Sequence, residues 1–273
     1  MSPVGGPFED MRRRRRVDRM LREMERIGRP RRQISSATLW QTVVPGVLVV
    51  VLLCVFGFRL WHDPNADIIG YTSPGEVGEG ELQYAVGGGT YRFMATQDGS
   101  DEPVAYDPCT PIQVMVNART APADADAILA TALANVTEAT GLEFELVGDS
   151  DEVPFAGADV ETGEGWRPLL IGWTDATEMS EFDGELVGLG GSAIVEIDGR
   201  HWYVTGDVAL DGPRLAELGT EVTVAVLQHE LAHVIGLHHV DDEHELMHPV
   251  QTTARWGRGD LAGLERLGAV ECA

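Results

Sequence analysis

The sequence contains no lysine: all 20 of its basic residues are arginine. With the heavy use of Ala, Gly, Asp and Val, this reflects the codon bias of a GC-rich genome and not a mechanism. No repeat period runs through the 273 residues, which excludes a solenoid. Twelve of the arginines precede His62, leaving 8 against 39 of the 44 acids in the rest of the chain. So acidic a part repels phosphate, which excludes nucleic acid as a partner. Cysteine is rare too, with Cys54, Cys109 and Cys272 alone. What is present, 44% hydrophobic residues, suffices for one good core and an appended segment.

Acids are missing altogether between Leu39 and Leu60, where the chain reads LWQTVVPGVLVVVLLCVFGFRL. The run is long enough to span a bilayer. Trp40 and Trp61 bracket it, roughly 31 Å apart on a helix, close to the spacing of the two interfacial belts. Arg59 can extend outward beside Trp61, while Pro45 and Gly46 allow a kink without preventing a span. The preceding tail contains MRRRRRVDRMLREMERIGRPRR, so the positive-inside rule places the N-terminus in the cytoplasm and the acidic part outside. A cleaved signal peptide fits poorly: its charged region would be too long and no small-x-small site follows. Leu53 before Cys54 speaks against a lipoprotein, and Cys54 reads as a small apolar residue in the membrane. In the tail, Val17, Met20, Leu21, Met24 and Ile27 recur at helical spacing, as in a juxtamembrane helix drawn to anionic lipid. The expected organisation is a basic cytoplasmic tail over 1–36, a transmembrane helix over 37–61, a linker rich in Gly and acids over 62–90, and a domain over 91–273.

Within the linker a short strand is expected at Glu81 to Val86. Beyond it, Pro111 to Asn117 and Leu142 to Gly148 read as strands flanking a helix over Ala123 to Ala139, which Gly141 can end. Further strands are expected at Pro168 to Thr174, Gly191 to Asp198 and His201 to Leu210, the last two forming a hairpin about Gly199 and Arg200. The expected class is α+β, a mixed sheet with few helices. Cys109 and Cys272 could pair outside the cell and tie the domain's start to its end, or remain two free thiols.

Six of the eight histidines fall in one stretch, QHELAHVIGLHHVDDEHELMHP, Gln228 to Pro249. Val222 to Ile235 is apolar enough for a partly buried helix, and on it His229 and His233 share a face about 5 to 6 Å apart, so both imidazoles reach one metal. Glu230 stands where it can take a proton from water activated there. A continued helix would carry His239 about 15 Å along the axis from His229, too far for one tetrahedral site. The helix must therefore end between them, and Gly236 can adopt the left-handed conformation that stops it. A fourth position left open would mark a catalytic rather than a structural site.

HELAHVIGLHH thus fits HExxHxxGxxH through His229, Glu230, His233, Gly236 and His239, and resembles the metzincin zinc peptidases. ELMHP is similar to the family's turn with Met beneath the metal, through Met247, and the Pro two residues later is similar to the matrixin branch. Where other branches place a Tyr ligand this chain has Pro249, so no Tyr is assigned. RGDLAGLERLG, Arg258 to Gly268, resembles the closing helix, with Asp260 as its N-cap. The resemblance implies a metzincin-like fold: a mixed twisted sheet with an active-site helix, a Met-turn and a C-terminal helix. It implies one catalytic zinc on His229, His233 and His239, Glu230 as general base, and a protein or peptide as substrate. It also implies a substrate lying along a sheet edge, for which Gly188 to Val195 is the candidate; the competing reading is a glycine bulge in an ordinary hairpin.

Latency, calcium and a structural zinc are not implied, because the cysteine-containing pro-segment and the second histidine set are absent. Outside the active stretch only His62 and His201 remain. His238, His244 and His248 read as surface or supporting groups. Asp241, Asp242, Glu243 and Glu245 read as a solvated acidic loop, with one member a candidate to hold a ligand histidine by hydrogen bonding. The expected function is a membrane-tethered, extracytoplasmic zinc endopeptidase. The alternative from another class is a non-catalytic surface binding module with a structural or relic zinc site.

Overall fold

The computed structural model describes residues 68–71, 80–157, 159–162 and 165–273. The basic tail and the apolar run over 37–61 lie outside the described residues. Among the described residues no helix is long and apolar enough to cross a membrane.

The described chain is a mixed α/β unit built on one six-stranded sheet. Its strands are β1 (Ile68–Tyr71), β4 (Ile112–Asn117), β5 (Phe144–Asp149), β8 (Leu169–Thr174), β9 (Gly188–Ile197) and β10 (Arg200–Asp211), in the order β1-β9-β10-β8-β4-β5. β5, β4, β8 and β10 run parallel, and β9 is antiparallel to β10. Two small hairpins, β2 (Gln83–Tyr84) with β3 (Thr90–Tyr91) and β6 (Glu161–Thr162) with β7 (Gly165–Trp166), stand apart from it. The helices are α1 (Ala125–Thr140), α2 (Gly212–Leu218), α3 (Thr220–Ile235) and α4 (Arg258–Gly268).

Each element expected from Glu81 onward is found within a few residues, because periodicity and punctuation coincide. α1 ends at Gly141, whose φ of 79° is the left-handed conformation glycine adopts without strain. The hairpin turns on Asp198 and Gly199, φ 53° and 79°, which is the primed-turn geometry that suits right-twisted strands. Arg200, expected in that turn, instead opens β10 opposite Ile197. Alternation along β10 divides the core: Val208 and Leu210 join the main cluster with α1, α3 and α4, whereas Ala209 meets Met179 and Phe182 in a smaller one.

The stretch read as a linker is in part sheet. β1 pairs antiparallel with β9 through Ile68↔Val195, Gly70↔Ile194 and Tyr71↔Ala193, so the edge expected to be open from Gly188 to Val195 is covered at its far end. A β-branched pair of residues among glycines and acids carries little period, and only an available edge partner makes a strand of it. The short α2 was also unforeseen; it is capped by Asp211, whose carboxylate accepts the Arg214 backbone N–H. Cys109 and Cys272 are disulfide-bonded with Cα atoms 5.6 Å apart.

Candidate metal centre

α3 delivers the first histidines. Leu227, Leu231, Val234 and Ile235 are fully buried against the sheet and α1, which fixes the helix's rotation and turns the face bearing His229 and His233 to one side. The helix stops at Gly236, with φ 126° and its N–H on the Ala232 and His233 carbonyls. A Cβ there would lie 3.0 Å from the Tyr203 ring and 3.1 Å from Leu267, so both conformation and space call for glycine. The returning chain is held by two backbone bonds, Met94 N–H to the Gly236 carbonyl (2.7 Å) and His238 N–H to the Arg92 carbonyl (2.8 Å). His239 comes back from this turn to the face of α3.

The three imidazoles converge on one point. Nε2 of His229 lies 3.0 Å from Nε2 of His239 and 3.1 Å from Nε2 of His233, and His233 and His239 are 3.0 Å apart through the same atoms. His229 donates its Nδ1–H to the Leu246 carbonyl and His233 its Nδ1–H to the Leu237 carbonyl, both at 2.7 Å. A carbonyl only accepts, so these rings carry their proton on Nδ1 and turn a bare Nε2 lone pair inward. Lone pairs repel one another unless a cation lies between them. Zn–N bonds of about 2.0–2.1 Å in a tetrahedron place nitrogens about 3.3 Å apart, close to what is found. The three histidines can therefore hold a metal ion.

Burial drives the titration of the site. It pushes His229 down to about 4, with the charge of His248 adding to the effect, and His239 down to about 3, with His229, His238 and His248 adding. His233 is held well below the usual range by burial and then by its two partners. All three are neutral, and competent as ligands, at neutral pH. Glu230, 8% exposed, is pushed up to about 8 by burial alone. Its carboxylate lies against β9: a Cβ at Gly188 would fall 2.6 Å from Oε1, and one at Gly190 2.3 Å from the Glu230 backbone carbonyl. The glycines of β9 let the sheet approach the helix at the residue next to His229.

The other histidines are placed elsewhere. His238 has its Nδ1 3.3 Å from the His239 carbonyl, His244 is exposed and bonded to Asp242, and the His248 Nδ1 lies 2.7 Å from the Val250 carbonyl. Met247 is buried in the main core, and its carbonyl accepts the Val240 N–H, pinning the residue after His239.

Two carboxylates depart from their expected places. Asp260 is the third residue of α4, not its N-cap; Gly257 occupies that position, and Asp260 reaches back to its N–H at 2.8 Å. Asp260 also accepts the backbone N–H groups of Leu246 and Met247. Glu245, read as part of a solvated loop, is 1% exposed and accepts the N–H groups of Gly259 and Asp260, both at 2.9 Å. The two form a clasp between the turn at Met247 and the start of α4. Since Leu246 is also the residue whose carbonyl orients His229, the clasp braces the metal site from behind. No local signal separates Glu245 from Asp241, Asp242 and Glu243; only the register of the fold buries it.

The arrangement defines a class: a mixed sheet bearing three converging histidines, of which His233 is buried, that could hold a metal ion, with a buried carboxylate beside them. No known family model matches the sequence, and comparison with characterised proteins finds no similar one.

Proposed function

We propose that the protein is a zinc-dependent endopeptidase of the metzincin type, held at the membrane by residues 37–61 with its catalytic domain outside the cell. The observation that carries this reading is the convergence of three imidazole Nε2 atoms, those of His229 and His233 bare, beside Glu230, a buried carboxylate with no role as a ligand. A purely structural site has no use for a base there. His229, His233 and His239 would hold a zinc ion, which when bound would supply a Lewis acid to polarise a scissile carbonyl and acidify water. Glu230 removes a proton from the attacking water as its oxygen bonds to the carbonyl carbon, then returns that proton to the amine nitrogen as the C–N bond breaks. Burial raises the proton affinity of the carboxylate, and a neighbouring cation, which favours the ionised form, would lower it again, so that the group can both take a proton and give it back. His229 and His233, their rings fixed through Nδ1, would present Nε2 to the zinc in a set direction. The substrate extends along the β9 edge beside Gly188 and Gly190, adding backbone hydrogen bonds as a further strand.

The test is Glu230→Ala. It is expected to keep stoichiometric zinc while hydrolysis of a casein-type substrate falls by about 100-fold or more. Wild-type rates in that variant would remove Glu230 from the mechanism. Full zinc occupancy of the native protein with no chelator-sensitive cleavage would favour a binding module instead.

A further inference from the structure

His229 and His233 are oriented by the same device. Each donates its Nδ1–H to a backbone carbonyl at 2.7 Å, His229 to that of Leu246 and His233 to that of Leu237. Each carbonyl belongs to a planar trans peptide unit, so the N–H of the next residue faces the opposite way. The two N–H groups meet different acceptors. That of His238 donates to the Arg92 carbonyl, a neutral group, at 2.8 Å. That of Met247 donates to Oδ1 of Asp260 at 3.3 Å, while the other oxygen of the same carboxylate accepts the N–H of Leu246. A chain of hydrogen bonds thus runs from Asp260 through the Leu246–Met247 peptide to the ring of His229.

We propose that Asp260 is a positioning residue of the metal centre whose negative charge, relayed by that peptide to His229, raises the affinity of the three histidines for a divalent cation. This rests on the metal part of the reading above and not on its hydrolytic part. An anion accepting from the N–H polarises the amide and leaves its carbonyl a stronger acceptor. The stronger bond to Nδ1–H makes the Nε2 lone pair more basic, as a carboxylate bonded directly to a ligand histidine does. Asp260 is 0% exposed, so solvent screens the effect little. Glu245 belongs to the same clasp but acts on the backbone of α4, accepting the N–H groups of Gly259 and Asp260. Mechanical bracing by itself needs no charge at Asp260. Burial raises that carboxyl to about 6, so at neutral pH its ionised form is held at a cost to the metal-free fold. A cation at the histidines would offset that cost.

The experiment uses the full chain at about pH 7.5, where Asp260 is ionised, with zinc as the probe. Zinc affinity is measured by competition with a chromophoric chelator. The Nδ1 protons of His229 and His233 are followed by NMR of metal-free protein carrying isotope-labelled histidine, each assigned by its loss in the corresponding alanine variant. Asp260→Asn keeps an acceptor oxygen and removes the charge, whereas Glu245→Gln loosens the clasp outside the chain of bonds and gives the mechanical baseline. Asp260→Asn is expected to bind zinc about tenfold more weakly than Glu245→Gln. Its His229 proton should move upfield while that of His233 stays, and in wild type the His229 proton should lie downfield of the His233 proton. Equal zinc affinity in the two variants, or two protons that shift together, would indicate bracing alone and overturn the proposal. If Asp260→Asn does not fold, wild type decides: a His229 proton no further downfield than that of His233 overturns it. Zinc binding by wild type without peptide cleavage would sink only the hydrolytic reading, and no zinc binding by wild type would sink the metal site and this proposal together.

Discussion

At the scale of single residues, the site is a balance between burial and lone pairs. His229, His233 and His239 have their proton affinity lowered by burial, to about 4 for His229 and about 3 for His239, against about 6.5 in an unfolded chain. The unfolded state therefore binds more protons below about pH 6.5, and the stability associated with neutral imidazoles is present above that value and lost as pH falls through the folded values. The metal-free protein should show a melting temperature that declines from about pH 6.5 toward pH 4, and the His239→Ala variant should show a shallower decline. Parallel thermal scans across this range would check it; identical slopes would remove His239 from the account. Zinc competes with protons for the folded protein's imidazoles, so its apparent affinity should fall as pH drops through about 4 and 3. Gly236 was legible in the sequence for a related reason: a third ligand can reach the metal only if the helix stops, and glycine is the residue that stops it cheaply.

At the scale of elements, the metal site depends on how a turn and a helix are fastened together. Asp260 accepts three backbone N–H groups, from Leu246, Met247 and Gly257. Burial, opposed by those bonds and helped by the charge of Glu245, still raises it from 3.8 to about 6. Because the folded pKa lies above the unfolded one, the contribution of Asp260 to stability is fully present below about pH 4 and is lost as pH rises through about 6. Asn does not titrate, so the stability advantage of wild type over Asp260→Asn should narrow across that window and then stay level. Urea unfolding of both proteins at several pH values measures this, and an advantage that widens with pH would contradict it. Neither acid could be placed from sequence. Asp260 was visible as a polar residue at a helix start, but whether it caps its own helix or the facing turn is set by where α4 docks. Glu245 follows three acids in five residues and looks solvated until the fold encloses it.

At the scale of the whole molecule, the chain's described beginning and end are both fastened to the sheet domain, by β1 on the β9 edge and by the disulfide between Cys109 and Cys272. The bond closes a separation of 163 residues, for which the chain-entropy picture gives up to about 5 kcal/mol of stabilisation through the unfolded state. The Cys109→Ser, Cys272→Ser double variant should lose several kcal/mol in urea unfolding while keeping zinc stoichiometry, since neither cysteine belongs to the three-histidine group. A loss below about 1 kcal/mol would show that the closure contributes little. What the sequence determined by itself was local or strongly patterned: strands and helices whose period and punctuation agree, and three histidines whose spacing admits one metal only if Gly236 turns the chain. What only the tertiary structure decided was pairing between distant segments. β1 is a strand because β9 has an edge to offer, and Glu245 and Asp260 are buried because α4 docks against the turn at Met247. Such contacts leave no period in the chain; they exist only once the sheet and helices have come together.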